Sequence, residues 1–420
     1  MVKNDAEGNA EYDLVIVGGG LIGASLLLAL KDCNLRIALI EAKALYPLTR
    51  EEPAGSANFL DQRSLVLNLG SKLYYEQLGI WDSIAEFTTK INKIIVSEQG
   101  KFSKIFLDST SFAVPALGYV INIELLNNII WENLNNLNNM EVYNNCRVIN
   151  IIDRSDNSHN SDAVSIVLDN NQIIQTIKSK FVIAADGAQS FVRNLLNIET
   201  DCHDYQQYAL IANVTHELEN KGIAYERFSL QGPFALLPRA NKDGSQFFSG
   251  IVWPWDINKL DYIKNLSDQE LLSKLQKLFG YKLGKFLSIG QRQFFPLKRV
   301  TSKELFKNRV IFLGNAANSI HPIGGQGFNL GLRDVKYFCD LLKNNLHNLS
   351  NCNFESLFKT YAELRYDDHT RLKNNTHNLL NLFSSDYKIT QWGRNLGMTI
   401  GNHSYILRSF IADQSMGLQI

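Results

Sequence analysis

The chain has 420 residues, 45% hydrophobic and 20% charged, the balance of an ordinary globular protein and more than one small core needs. Its 42 basic and 42 acidic residues cancel, so no global field favours nucleic acid, and nucleic-acid binding is not supported. Cys33, Cys146, Cys202, Cys339 and Cys352 form no C-x-x-C pair and the eight histidines no metal-ligand cluster, which reads as reduced thiols in a cytoplasmic protein without a metal site.

The first residues, MVKNDAEGNAEY, are polar and acidic and lack the apolar stretch of a signal peptide. From Tyr12 to Lys43 the chain reads YDLVIVGGGLIGASLLLALKDCNLRIALIEAK. This is an apolar strand, a glycine turn, an apolar helix, a second strand and an acid, Glu41. Gly18, Gly20 and Gly23 fill G-x-G-x-x-G. The first glycine permits the tight turn, the second lets backbone approach a pyrophosphate, and the third lets helix and strand pack closely. Glu41 follows where a carboxylate can accept hydrogen bonds from a ribose. Leu14–Leu30 is uncharged, yet it is short for a membrane span and switches from strand to helix pattern.

Further along, Asp61 is expected to cap a helix through Leu65, Leu69, Leu73 and Leu78 that ends at Gly79. Ile91–Phe112 predicts a hairpin turning at Gln99-Gly100, and Ile123–Leu137 a helix. From Val142 the chain is strand-like, interrupted by a polar loop near residue 158. Tyr208–Phe295 is dominated by strand patterns, with a helical insert at Ser267–Phe279. Phe354–Phe383 has strong helical spacing.

Two more glycine motifs stand out. Phe181–Ile198 is a buried strand entering a turn and helix at Asp186-Gly187. Asp186 there can bond a ribose or the neighbourhood of a pyrophosphate, and Arg193, a helical turn on, can hold Asp186 or a phosphate. The same pattern also fits a helix cap with a surface arginine. Residues 310–334, VIFLGNAANSIHPIGGQGFNLGLRD, give a strand, a glycine loop and a helix beginning near Asn329. Such a helix start aims N–H groups and a positive dipole end at an anion. His321 and Gln326 are weak candidates for ligand contact or catalysis, since a histidine beside proline in a buried loop is more often structural. No single acid or base is named.

These motifs, in this order around an inserted β region, resemble the flavin-dependent aromatic hydroxylases of the p-hydroxybenzoate hydroxylase fold, in particular the ubiquinone-biosynthesis branch. The resemblance spans the chain and is carried by DQR at 61–63, YERFSLQGPFALLP at 225–238, FPL at 295–297, GNAANSIHPIGGQGFNLGLRD at 314–334, and Tyr361, Arg365, Asp368 and Thr376. It implies an α/β fold: a discontinuous Rossmann-like FAD-binding domain (1–80, 113–200, 296–350), an inserted mainly antiparallel β-sheet substrate domain (81–112, 201–295) and a helical C-terminal region (351–420).

By the same resemblance, Gly18, Gly20, Gly23 and Glu41 hold the ADP half of FAD, Arg63 lies along the cofactor, and Asp186 serves FAD and a transient nicotinamide. Asn315, Pro322, Gly325, Gly327, Phe328 and Asn329 surround the ribityl chain and flavin ring. Asn315 stands where most of the wider superfamily has Asp. The implied reaction is hydroxylation of a polyprenylated methoxyphenol with NAD(P)H and O2 through a C4a-hydroperoxyflavin. A sister hydroxylase acting at another ring position, or a prenyl reductase, are the alternatives. Location is expected in the cytoplasm, with peripheral contact to the membrane's inner face or to a biosynthetic complex. The C-terminal stretch with Lys388, Trp392, Arg394, Leu396, Ile400, Leu407, Arg408 and Phe410 could rest on lipid or a partner, or dock on the core.

Overall fold

The structure is a computed structural model that describes residues 11–44, 60, 62–134, 139–153, 163–229, 231–239, 246–321, 323–346, 353–384, 402 and 404–418. Asp61, Pro322, Cys352, the polar loop at 154–162 and residues 388–400 lie outside the described residues.

An eight-stranded sheet has a parallel centre, in the order Val310–Phe312, Ile173–Ala184, Glu11–Val17, Ile37–Glu41 and Met140–Asn144. Leu14, Val15, Ile16, Leu39 and Phe181–Ala184 are buried on both faces, which explains their continuous apolar runs. One face is covered by the helices Leu21–Ala29, Ile123–Glu132, Gln326–Asn345 and Phe354–Ser384. The other is covered by an antiparallel pair, Cys146–Ile152 and Val164–Asn170, and by the short helix Phe191–Leu195. Every residue of Leu21–Ala29 from Gly23 onward is buried, so this helix is apolar all round rather than amphipathic.

A nine-stranded sheet runs Asn318–Ser319, Gln293–Ser302, Thr200–His216, Phe247–Asp256, Gly232–Arg239, Ile223–Ser229, Lys93–Glu98, Lys104–Asp108, with Phe286–Ile289 beside Thr200–His216. Its pairings are antiparallel except Ile223–Ser229 against Lys93–Glu98. Its outer face packs Leu210, Tyr225, Phe234, Leu236 and Trp253 on the helix Asp268–Phe279, which Ser267 starts with a reciprocal capping box to Glu270. By the period-two alternation of strands, the inner face carries Ile211, Ala235, Leu237, Val252 and Phe295, all partly exposed. The hairpin at Gln99-Gly100 forms as expected, with Gly100 at φ +75°.

Two expectations need correction. Leu65 is not helical: Ser64–Asn68 is a strand in a three-stranded sheet with Gly118–Asn122 and Thr89–Ile91. The helix is Leu69–Gln77, and its cap is Asn68, whose Oδ1 accepts from Ser71 N at 2.8 Å. The glycine-loop helix starts at Gln326, one turn before Asn329. The C-terminal helix Tyr405–Met416 docks on the core through Ala412 and Met416, beside Leu69, Leu117 and Val120. Among the described residues no helix is long and apolar enough to cross a membrane.

Candidate functional site

The three glycine motifs meet at the C-terminal ends of the parallel strands, where open α/β sheets bind ligands. Gly18 has φ +109°, and a methyl group there would sit 2.5 Å from the carbonyl oxygen of Ala185, so the first motif lies against the second. A methyl group on Gly23 would lie 1.9 Å from the carbonyl oxygen of Gly18, which is the close helix–strand contact the motif requires. Gly20 has open space on its Cβ side and caps Leu21–Ala29. Gly314, at the third motif, lies against Ile22, and Gly325 against Val66.

Two helices here begin without a side-chain cap. Leu21–Ala29 starts at Gly20 and Gln326–Asn345 at Gly325, each with no acid in its first turn. By contrast Asn68, Asn122 and Ser267 cap the helices that follow them. Free N–H groups and the positive dipole end at both glycine turns therefore suit an anionic or electron-rich ligand. Asp186 Oδ2 accepts from Val192 N at 3.1 Å, while Oδ1 is buried with no hydrogen-bond partner among the described residues. Gln326 Oε1 is likewise buried without one, and its Nε2 reaches Ser415 O at 3.4 Å. Such orphaned acceptors fit a ligand that donates hydroxyl or ring N–H groups. Glu41 Oε2 accepts from Gly19 N at 2.6 Å and Oε1 from Lys43 N at 2.8 Å, leaving lone pairs on both oxygens for a ribose.

Other expected residues fall differently. Arg193 is neither on the surface nor hydrogen-bonded to Asp186. It is buried and donates to Ala316 O at 2.9 Å and Ala188 O at 2.8 Å, joining the second motif to the third. Asn329 has its side chain fully engaged by protein: Oδ1 accepts from Asn68 N (2.9 Å) and Ser71 Oγ (2.7 Å), and Nδ2 donates to Val66 O (2.9 Å) and Gly325 O (2.7 Å). Its part is to hold the loop, with no side-chain group left over for a ligand. Asn315 is exposed, Gly327 has room beside Ile320, and Phe328 packs partly on the core. Arg63 is exposed, its guanidinium 5.1 Å over the Phe295 ring on the inner face. His321 is buried, stacked edge-on to Tyr205 at 5.1 Å, and burial lowers its pKa to about 4.

Sequence reasoning missed the support of the third motif. Asp334 is fully buried; Oδ2 accepts from Gly314 N at 3.2 Å, and Oδ1 meets Arg365 Nε at 2.8 Å and His369 Nε2 at 2.7 Å. His369 Nδ1 lies 2.7 Å from Asn318 Nδ2, and Arg365 also binds Asp368 at 2.8 Å. An acid between Leu332 and Val335 on a buried helical face was the available signal. Glu226, an acid among apolar neighbours of the strand Ile223–Ser229, was overlooked too: its carboxyl faces the N–H of Gly324.

The fold and this cradle define a flavoprotein: a Rossmann-like nucleotide half, with a third glycine bend meeting the first two and a large sheet beside it. Residues 11–375 match the FAD binding domain family, and the chain belongs to it. It is a FAD-dependent enzyme of the monooxygenase and hydroxylase kind. It is similar to a ubiquinone hydroxylase of Rhodospirillum rubrum (28% identity over 407 residues, 96% of this chain and 89% of the relative). It also resembles 3-demethoxyubiquinol 3-hydroxylase of Escherichia coli (23% over 410 residues, 98% and 100%). Among solved structures, p-nitrophenol 4-monooxygenase of Pseudomonas putida shares the fold at TM-score 0.76 and 17% identity, covering 97% of this chain and 98% of that one.

Proposed function

We propose that the protein hydroxylates the aromatic ring of a polyprenylated methoxyphenol in ubiquinone biosynthesis, with NAD(P)H and O2 as co-substrates. The observation that carries this is the partly exposed apolar inner face of the large sheet, Ile211, Ala235, Val252 and Phe295, beside the glycine loop, with Leu237 of the same face packed toward Ala412 and Met416 of the C-terminal helix. A prenyl chain suits such a surface, since each CH₂ removed from water contributes ~0.8 kcal/mol. The relatives named above act in the same kind of chemistry, which supports the pathway.

In this reading residues 1–80, 113–200 and 296–350 carry the flavin, and 81–112 with 201–295 cover the substrate. Gly18, Gly20 and Gly23 admit the pyrophosphate, Glu41 takes the ribose, and Asp186 and the uncapped Gly325 turn face the rest of the cofactor. Bound FAD supplies the two-electron and oxygen-transfer chemistry. The chain's residues bind, orient and keep water away. Arg63, its guanidinium over the Phe295 ring, lies along the cofactor, and the prenyl tail trails outward.

The test is NAD(P)H oxidation by the FAD-loaded protein with and without a 2-methoxyphenol bearing one or two isoprene units, followed by product mass and NMR. Phenol-stimulated oxidation with one added oxygen is expected, and NMR assigns the ring position. Oxidation with a saturated tail and no oxygenated product would instead establish a prenyl reductase.

A further inference from the structure

We propose that Glu226 is the group that receives the substrate's phenolic hydroxyl and takes its proton during ring hydroxylation. This goes one step beyond the hydroxylase reading and depends on it.

The geometry starts from the register. Glu226 pairs across to Ala235 on one side and Val96 on the other. The same row continues through Val252 and Ile211. Tyr225, its neighbour in sequence, points to the outer face and packs on Phe279. Glu226 therefore projects from the inner face with Ala224 and Phe228, and it is the acid of that apolar row. Its carboxyl faces the backbone N–H of Gly324, in the turn immediately before the uncapped helix start at Gly325. It thus stands between the substrate-covering sheet and the loop that meets the flavin ring.

An acid with no ion pair among the described residues, set in an apolar wall, is costly unless it works on a ligand. Burial raises its carboxyl to about 7, with the Gly324 N–H pulling the other way. Other titratable groups stand on the surrounding elements. Tyr205, beside Phe228, is raised by burial, and His321, stacked on it, is lowered to about 4. His377, on the helix Phe354–Ser384 that packs against this strand, is also lowered by burial and stacks on His203. Glu98 lies one row away, opposite Phe228, and Arg239 lies two rows along the inner face of Gly232–Arg239, its Nη1 on Gln62 O at 3.3 Å.

The phenolic O–H bond breaks, the proton passes to a Glu226 oxygen, and the bonding pair moves into the ring toward the ortho or para carbon that forms the new C–O bond. O2 supplies that oxygen, NAD(P)H the two electrons that leave the second atom as water. The ring C–H proton then leaves to solvent and aromaticity returns.

The experiment compares wild type, Glu226→Gln and Glu226→Asp, each loaded with FAD, on the same short-chain 2-methoxyphenol. Flavin content and melting temperature are recorded alongside, so a folding defect is separated from a chemical one. Wild type should gain activity as pH rises through about 7, the direction for a base active when ionised. Glu226→Gln should lose roughly 10²-fold in product formation, the low end for a positioned base, and lose that limb. Glu226→Asp should keep a shifted limb at reduced rate. If Glu226→Gln matches wild type in rate and pH profile, or only binds FAD more weakly, the proposal is wrong while the hydroxylase reading stands. If wild type shows no phenol-stimulated oxidation, both fall together.

Discussion

A methyl group on Gly23 would lie 1.9 Å from the carbonyl oxygen of Gly18. The third glycine of the first motif is therefore set by contact with the first, and the cofactor is not involved. Gly23→Ala should push the helix Leu21–Ala29 off its strand at a cost of about 1–3 kcal/mol, typical of overpacking. With the pyrophosphate proposed at the same helix start, FAD affinity should fall at least in proportion. Thermal melting of the apoprotein reports the first effect and FAD titration the second. An unchanged melting temperature would mean the helix can shift at no cost.

Glu41 makes a different prediction, because it contributes to binding more than to folding. Its two oxygens already accept from Gly19 and Lys43, which holds the carboxylate in place for a ribose. Glu41→Gln keeps the size but turns one of the two accepting ends into a donor and removes the charge. FAD should bind about tenfold more weakly, the loss expected for one charge-assisted hydrogen bond of about 1.5 kcal/mol. The apoprotein should melt within a degree or two of wild type. Equal FAD affinity in fluorescence titration would show that Glu41 serves only the glycine turn.

What could be read in advance followed from local pattern. The first motif is legible because strand, turn, helix and acid fall within 31 consecutive residues, Glu11–Glu41, and each has its own signal. The hairpin at Gly100 and the helical insert beginning at Ser267 are legible for the same reason. Leu65 misleads because Leu65, Leu69 and Leu73 have helical spacing, while the strand that claims Leu65 is fixed by pairing with Ile121, 56 residues away. Arg193 fitted a contact to Asp186 or a phosphate as well as a surface position, yet the carbonyl it satisfies at Ala316 is 123 residues distant. Glu226 could not be singled out because only the register says which face it takes.

Asp334 is where the pH dependence of stability should appear. Burial pushes its carboxyl up, but His369 and Arg365, by charge and hydrogen bond, outweigh this and hold it at about 2, below the ordinary 3.8. A depressed pKa gives stability that is present above the unfolded value and lost as pH falls from there toward 2. For a shift of this size the contribution is about 2–3 kcal/mol. Melting temperature should therefore drop between pH 5 and pH 2, and Asp334→Asn should flatten that drop. At pH 7 the same variant removes one of the two carboxylates that hold buried Arg365, leaving Asp368, so its cost should fall below the ~3–5 kcal/mol of a fully uncompensated buried charge. An Asp334→Asn melt that tracks wild type at both pH values would remove Asp334 from this account.

Asn329 tests whether the glycine loop is held by protein or by ligand. Four hydrogen bonds tie its amide to Asn68, Ser71, Val66 and Gly325. Asn329→Ala strands two donors and two acceptors in a buried site, and should cost about 2–4 kcal/mol even in the apoprotein. Asn329→Asp separates the two halves of the amide. It keeps the acceptor for Asn68 and Ser71 but turns lone pairs toward the carbonyls of Val66 and Gly325, so the isosteric change should not rescue stability. Both variants should loosen the start of the helix Gln326–Asn345 and release FAD faster. Were Asn329→Asp to melt like wild type without cofactor, the carbonyl contacts would be incidental and the loop's order would have to come from the bound flavin.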